Sequence, residues 1–254
     1  MSQPAGRNLS LSLSRRFLGD LVHFAAMVPA AVVQRRMRLA PVLAARQAAG
    51  PRPGWCAVFA KAFAFVAAGR PELRRAYLPL PWPHLYEHPT SVAAIAVERR
   101  HEDEDAVFFA RLRSPEQKGL LELDARLRRC KEEGLERLGA FRRSLRVSRL
   151  PRPVRRLLWA TALVRGRWRA RHLGTFGVTA VAGLGAALPR LLSPLTITLH
   201  YGVIDADGAV DVCLTFDQRV LDAATAARAL EELERVLNGE IVAEVRYFQA
   251  LDVA

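Results

Sequence analysis

The stretch Val210–Leu237, VDVCLTFDQRVLDAATAARALEELERVL, constrains the fold of this chain more than any other. In its first half Val210, Val212, Leu214 and Phe216 alternate with Asp211, Cys213, Thr215 and Asp217, the period-two pattern of a half-buried strand. After a polar turn, Leu230, Leu233 and Leu237 recur at helical spacing, and Asp222 stands where an N-cap belongs. A strand running straight into an amphipathic helix is the expected unit. Upstream, Leu195–Ile204 and Ala209–Asp217 are expected to form a hairpin across Asp205-Ala206-Asp207-Gly208, which pairs His200 near Cys213.

With 254 residues, 51% of them apolar, the chain can bury a substantial core and suits one large α/β domain over residues 15–254. Residues 1–14 are small and polar and are expected to form a flexible tail. Cys56, Cys130 and Cys213 lie in three separate segments without CxxC spacing, which suggests neither a zinc knuckle nor a redox pair and fits a reducing, cytoplasmic setting. The formal charge of +13 is concentrated. Between Arg126 and Arg171 stand sixteen Lys/Arg against three Glu, which is the whole excess. Such a patch attracts CoA phosphates, an anionic lipid surface or nucleic acid, or is a solvated arginine-rich face. No nucleic-acid-binding motif accompanies it, so nucleic acid is not an expected partner.

Helical patterning is expected from residue 15 through Val33 to Arg46, interrupted at Pro29 and Pro41. Trp55–Ala68 reads as a buried helix closed by Gly69. Leu78–Pro89, with four prolines, reads as an extended connection. Thr90–Val97 and Ala106–Leu112 are expected strands around a charged turn at Arg99–Asp105, and a helix is expected from Ser114 to Glu133. In 134–171, arginines interleave with Trp159, Trp168 and leucines. That pattern suits a helix lying on an anionic membrane, or one packed on the domain with its arginines snorkelling outward. The last long helix is expected to end near Gly239, with Ile241–Val245 leading into a short tail.

No apolar run reaches the ~18–20 residues of a membrane span. Ser14-Arg15-Arg16-Phe17-Leu18 has the look of a twin-arginine export signal, but Asp20 and His23 interrupt the apolar part that should follow. An amphipathic first helix is the expectation instead.

The segment FDQRVLDAA resembles the F/Y-D-H-R-V-x-D-G-A signature of the 2-oxoacid dehydrogenase acyltransferase (E2) catalytic domain, a relative of chloramphenicol acetyltransferase. Asp217, Arg219, Val220 and Asp222 match it. Gln218 stands at the position of the family's histidine, and Ala223 at that of its glycine. Lys61-Ala62-Phe63 leading into Pro71-Glu72-Leu73-Arg74 is similar to the family's buried helix and P-E-L-N. Gly174-Thr175-Phe176-Gly177-Val178-Thr179 is similar to its G-T-F-T-I-S, with Gly183-Leu184-Gly185 echoing later glycines. The likeness runs from about residue 15 to 245 and is weakest over 134–171.

The resemblance implies a two-layer α/β sandwich, a mixed sheet with helices on one face. It also implies acyl transfer between an acyl thioester such as acyl-CoA and a thiol or hydroxyl acceptor, with CoA as ligand and no permanently bound cofactor. Thr179 takes the place of the serine that donates to the oxyanion, and Gln218 that of the general base. Asp222 is implied to fix the site's geometry through an arginine, with Asp217 and Arg219 supporting. Arg15, Arg16, Arg35 and Arg36 are candidate partners. A homotrimer with sites between subunits is implied. No lipoyl or subunit-binding domain is recognised, so a free-standing acyltransferase-type domain is expected.

A base should titrate near neutral pH, and a carboxamide has no such equilibrium. Two readings of the active site follow: weak transfer with Gln218 positioning an acceptor, or an inactive thioester-binding or structural trimer, alone or beside an active paralogue. A third reading is a basic protein associated peripherally with an anionic membrane. His200 does not replace the base within one chain, since five residues of strand place it roughly 17 Å from Gln218. His172 is as remote, and His84, His88 and His101 lie in loop-like or charged segments where exposure is expected. No HExxH, GxSxG or P-loop pattern occurs, and no metal site is expected.

Overall fold

A computed structural model describes residues 6–180, 185–186 and 191–252, with side chains described as far as residue 248. In chain order it contains α1 (Leu13–Ala25), β1 (Ala30–Arg38), α2 (Ala40–Ala48), α3 (Trp55–Gly69), β2 (Arg75–Leu78) and β3 (His84–Glu87). Next come β4 (Val92–His101), β5 (Glu104–Arg113), α4 (Leu120–Glu132), α5 (Gly139–Ser148), α6 (Arg152–Val164) and α7 (Gly166–His172). β6 (Phe176–Thr179), β7 (Ile197–Tyr201), β8 (Ala209–Asp217), α8 (Ala223–Asn238) and α9 (Glu240–Asp252) complete it.

Six strands form a mixed sheet in the order β1-β8-β7-β6-β4-β5, and β2 pairs with β3 in a separate ribbon. β6 runs parallel to both its neighbours, while the β1–β8, β7–β8 and β4–β5 pairs are antiparallel. β8 is a strand as expected, but it is buried on both faces rather than half-buried, with Cys213, Thr215 and Asp217 also shielded. Val210, Val212, Leu214 and Phe216 join the main core with Phe176, Val178, Ile197 and Leu199, under the almost wholly buried α3 and the Leu230/Leu233/Leu237 face of α8. The expected α/β sandwich is therefore present. At the β5 edge consecutive residues diverge: Phe108 stacks on Phe141 of α5 in the main core, whereas Phe109 meets Phe17 of α1 in a second cluster with Leu21, Phe24 and Trp159. A smaller helical cap thus covers that end of the second face.

Several expectations are corrected. The helix predicted through Val33 stops at Ala25, and Ala30–Arg38 is an edge strand with nine register pairs to β8. Pro29 lacks the amide a helix needs, and Val32-Val33 then favours extended backbone once a partner strand is present. The expected tail is shorter at its helix end. Ser12 caps α1, and Ser12 and Ser14 both donate to Glu104 at the start of β5. The charged turn contracts to Glu102-Asp103, both at positive φ, so β4 and β5 extend to meet it. Ser114 (φ 44°) and a short 3-10 turn at Pro115–Gln117 delay α4 until Leu120.

The tail expected after Gly239 is helix α9. Its Glu244 pairs at 2.6 Å with Lys61, a lysine 5% exposed within the apolar α3, and accepts from the Leu120 amide. A buried ammonium must be paired, and that need holds α9 against the core. The hairpin turn closes on Gly208 (φ +84°), where a Cβ would come within 2.5 Å of the Ala40 nitrogen. In the basic segment, Arg155, Arg156 and Trp159 of α6 pack against α1, while Leu157, Leu158 and Trp168 stay exposed. No helix among the described residues is long and apolar enough to cross a membrane.

Candidate active site

β8 ends in a tight polar turn that arranges the signature residues. Asp217 is 1% exposed and grips Arg219 with both oxygens, at 2.9 Å from Nε and 2.8 Å from a terminal nitrogen, and also accepts from the Arg219 amide at 3.0 Å. The Arg219 guanidinium lies 4.2 Å from the Tyr77 ring centroid. The Val220 and Leu221 amides bond back to the Asp217 carbonyl, and the Gln218 amide donates to the Pro29 carbonyl. The main chain of this turn is held by its own hydrogen bonds and by the segment entering β1. Gln218 itself points outward and is exposed.

Asp222 is the N-cap of α8, as expected, accepting from the Thr225 amide at 2.6 Å. That hydrogen bond holds its carboxyl below the ordinary range. The candidate arginines lie elsewhere: Arg15 meets Glu104, Arg16 the Leu11 carbonyl, Arg35 Glu234, and Arg36 Asp205 and Asp211. The arginine that organises the region is Arg169, which sequence reasoning passed over. It is 6% exposed, and donates to the carbonyls of Tyr77 and Pro194 and to the Thr196 hydroxyl. Burial pushes its pKa down to about 10, with the charge of Asp217 opposing that shift and Arg219 adding to it. One arginine among sixteen cations carries no local mark. The available signal was Asp217, a strand-end carboxylate on the polar side of a buried strand.

His88, expected at the surface, is 2% exposed, with both ring nitrogens lacking hydrogen-bond partners among the described residues. Burial, helped by the charge of Arg169, lowers its pKa to about 4. The imidazole near Arg169 is therefore neutral.

Thr179 is not brought to Gln218 within the chain. It is the last residue of β6, in register with His200, which pairs with Cys213 as the hairpin reading expected. Five residues along β8 at ~3.4 Å and two strand spacings at ~4.8 Å separate Thr179 from Gln218 by roughly 20 Å. His200 shares the polar face of the sheet with Thr179, is 3% exposed and lies 3.4 Å from the Thr215 hydroxyl. Burial lowers its pKa. Gly183 and Leu184 lie outside the described residues, and Gly185 has φ +70°. Among the described residues, no group of three or more His, Cys, Asp or Glu is placed to hold a metal ion.

Sheet order, hairpin register and the strand-end turn together define the acyltransferase fold of E2 catalytic domains and chloramphenicol acetyltransferase. The truncated catalytic core of a 2-oxoacid dehydrogenase multienzyme complex from Thermoplasma acidophilum superimposes with a TM-score of 0.65 at 17% identity, over 92% of this chain and 99% of that one. Dihydrolipoamide acetyltransferase (E2p) of Azotobacter vinelandii, in which a serine, a histidine and an asparagine four positions beyond the histidine were investigated for catalytic roles, gives 0.64 at 18% identity, over 95% and 94%. A chloramphenicol acetyltransferase gives 0.51 at 13%, over 90% and 96%. No protein-family model and no curated sequence matches the chain. The likeness is one of fold.

Proposed function

We propose that the chain handles an acyl thioester of the acyl-CoA type, transferring the acyl group slowly to an acceptor that arrives already ionised. The observation that carries this reading is the turn at Asp217–Asp222. It presents Gln218 to solvent from a backbone fixed at both ends, four positions before Asp222, and this matches the spacing of the histidine and asparagine investigated in the Azotobacter enzyme. In the proposed step, an acceptor thiolate attacks the thioester carbonyl, the C–S bond to CoA breaks, and CoA leaves as thiolate. No proton need be taken by residue 218, whose carboxamide can only orient the acceptor. The Thr179 hydroxyl donates to the oxyanion of the tetrahedral intermediate.

Because Thr179 and Gln218 stand roughly 20 Å apart, one acyl group cannot meet both in a single chain. The reading therefore places the site between two chains of a homo-oligomer, a trimer by resemblance, Gln218 from one facing Thr179 and His200 of the next. Support comes from the Thermoplasma neighbour, itself the core of a multienzyme complex.

The second reading, a thioester-binding or structural protein without turnover, is favoured by the carboxamide itself. CoA release from a panel of acyl-CoAs with dihydrolipoamide separates the two, with wild type and Gln218→His side by side. Measurable wild-type release that rises at least about 100-fold with the imidazole supports transfer. Release by Gln218→His alone supports the disarmed binder. Silence from both variants removes the acyl-transfer reading for these substrates.

A further inference from the structure

The structure holds a second concave region, far from the signature turn, that neither the fold nor the acyl-transfer reading explains. It lies at the β5 edge, four strands from β8, where α5, α6 and α7 gather. It has two compartments that share Arg111, Ala140 and Arg143 as a common wall. One is an apolar cavity of about 250 Å³, walled by Phe17, Leu158, Trp159, Trp168 and Leu173. The other is a groove of about 510 Å³ edged by Arg111, Arg113, Arg126, Arg129, Arg143 and Arg171.

Among the described residues none of these six arginines is ion-paired with a carboxylate. Elsewhere in the same segment arginines do find acids, as Arg128 finds Asp124 and Arg155 finds Asp20. Among the described residues, Glu133 is the one carboxylate on the groove wall. Arg111 is inside the shared wall, its guanidinium donating to the His172 carbonyl, and burial together with Arg143, Arg113 and Arg126 lowers its pKa. Burial and the charges of Arg143, Arg111 and Arg171 likewise lower the pKa of His172, whose Nδ1 lies 3.3 Å from Arg143. Gathered like charges with so little acid among them are costly unless an anion sits between them. A bare anion accounts for the groove and leaves the adjoining cavity, with two tryptophans in its wall, without a role.

From the continuity of the two compartments we infer that this is a binding site for a single-chain amphiphile bearing a phosphate head, its tail in the Trp159/Trp168 cavity and its head on the arginines of the groove. The site is independent of Gln218 and Thr179.

The test is calorimetric titration of the full chain, with tryptophan emission followed in parallel, using dodecyl phosphate below its micelle concentration, dodecyl maltoside and inorganic phosphate. Dodecyl phosphate should bind one per chain and roughly 100-fold more tightly than inorganic phosphate, the gain that burying three or four methylenes supplies. It should also outbind the uncharged maltoside by a similar factor, with a shift in emission. Arg143→Glu combined with Arg171→Glu, both at exposed positions, should weaken dodecyl phosphate on the order of 100-fold. Leu158→Asp, also exposed enough to fold, should weaken dodecyl phosphate while leaving inorganic phosphate unchanged. Equal affinity for phosphate and dodecyl phosphate would overturn the inference in favour of a plain anion site. Binding to phosphatidylglycerol vesicles without binding to monomeric dodecyl phosphate would overturn it in favour of a membrane-surface contact.

Discussion

Replacing Asp20 by alanine should be the most damaging single change to the helical cap. Its side chain is 2% exposed and accepts from Arg155 at 2.6 Å and from Arg156 at 2.8 Å, which ties α1 to α6. The Arg155 side chain is 10% exposed and, among the described residues, has only the Leu150 carbonyl besides Asp20, whereas Arg156, at 22%, can turn toward water. Removing one partner of a buried pair leaves an uncompensated charge and costs about 3–5 kcal/mol. For a chain of this size each kcal/mol lowers Tm by roughly 2–4 °C, so a fall on the order of 10 °C is expected. Urea denaturation followed by far-UV circular dichroism measures the free energy directly. If the penalty is the stranded guanidinium, adding Arg155→Met should recover most of it, because an apolar side chain of similar length has no charge to desolvate. A loss under about 1 kcal/mol, or a double variant no more stable than Asp20→Ala, would refute this account.

His88 makes stability depend on pH in a defined window. Its pKa is 6.5 ordinarily and about 4 in the fold, so the unfolded chain binds the extra proton between those values. Stability therefore falls as pH drops through the window, by about 2–3 kcal/mol between pH 7.5 and 4.5. Urea midpoints of His88→Gln should lose that part of the pH slope, and an unchanged slope would contradict it. Thr179→Val, introduced into Gln218→His, should reduce acyl transfer on the order of 100-fold with little change in thermal stability, since a hydroxyl is removed and the β-branched shape kept. An unchanged rate would remove Thr179 from the oxyanion site.

Where one face of an element meets the core, the sequence was legible. The Val210–Phe216 strand, the α3 run and the His200–Cys213 register follow from period and turn chemistry and are present, although β8 is buried on both faces rather than one. β1 and α9 were misread because their state is decided by partners distant in sequence. β1 acquires nine pairs from β8, and α9 is held by Lys61 through Glu244. Around the candidate site, the Asp222 cap was readable from local spacing, and Asp217 and Arg219 only from the resemblance to the signature. Arg169 and the burial of His88 were not, since each depends on the β2–β3 ribbon and α7 closing over the end of β8. The separation of Thr179 from Gln218 also required the strand order, which two motifs 39 residues apart cannot supply.

β1, at one margin of the sheet, bears on how the protein behaves in concentrated solution. A margin strand offers unpaired amides and carbonyls to any passing strand, and Ala30–Val33 would be an adhesive start for such stacking. Arg35, Arg36 and Arg38 follow directly, and Arg35 and Arg36 are partly exposed even while paired with acids. Two copies meeting margin to margin would bring these guanidiniums into mutual repulsion. The edge strand Ala30–Arg38 therefore carries its own deterrent against polymerisation.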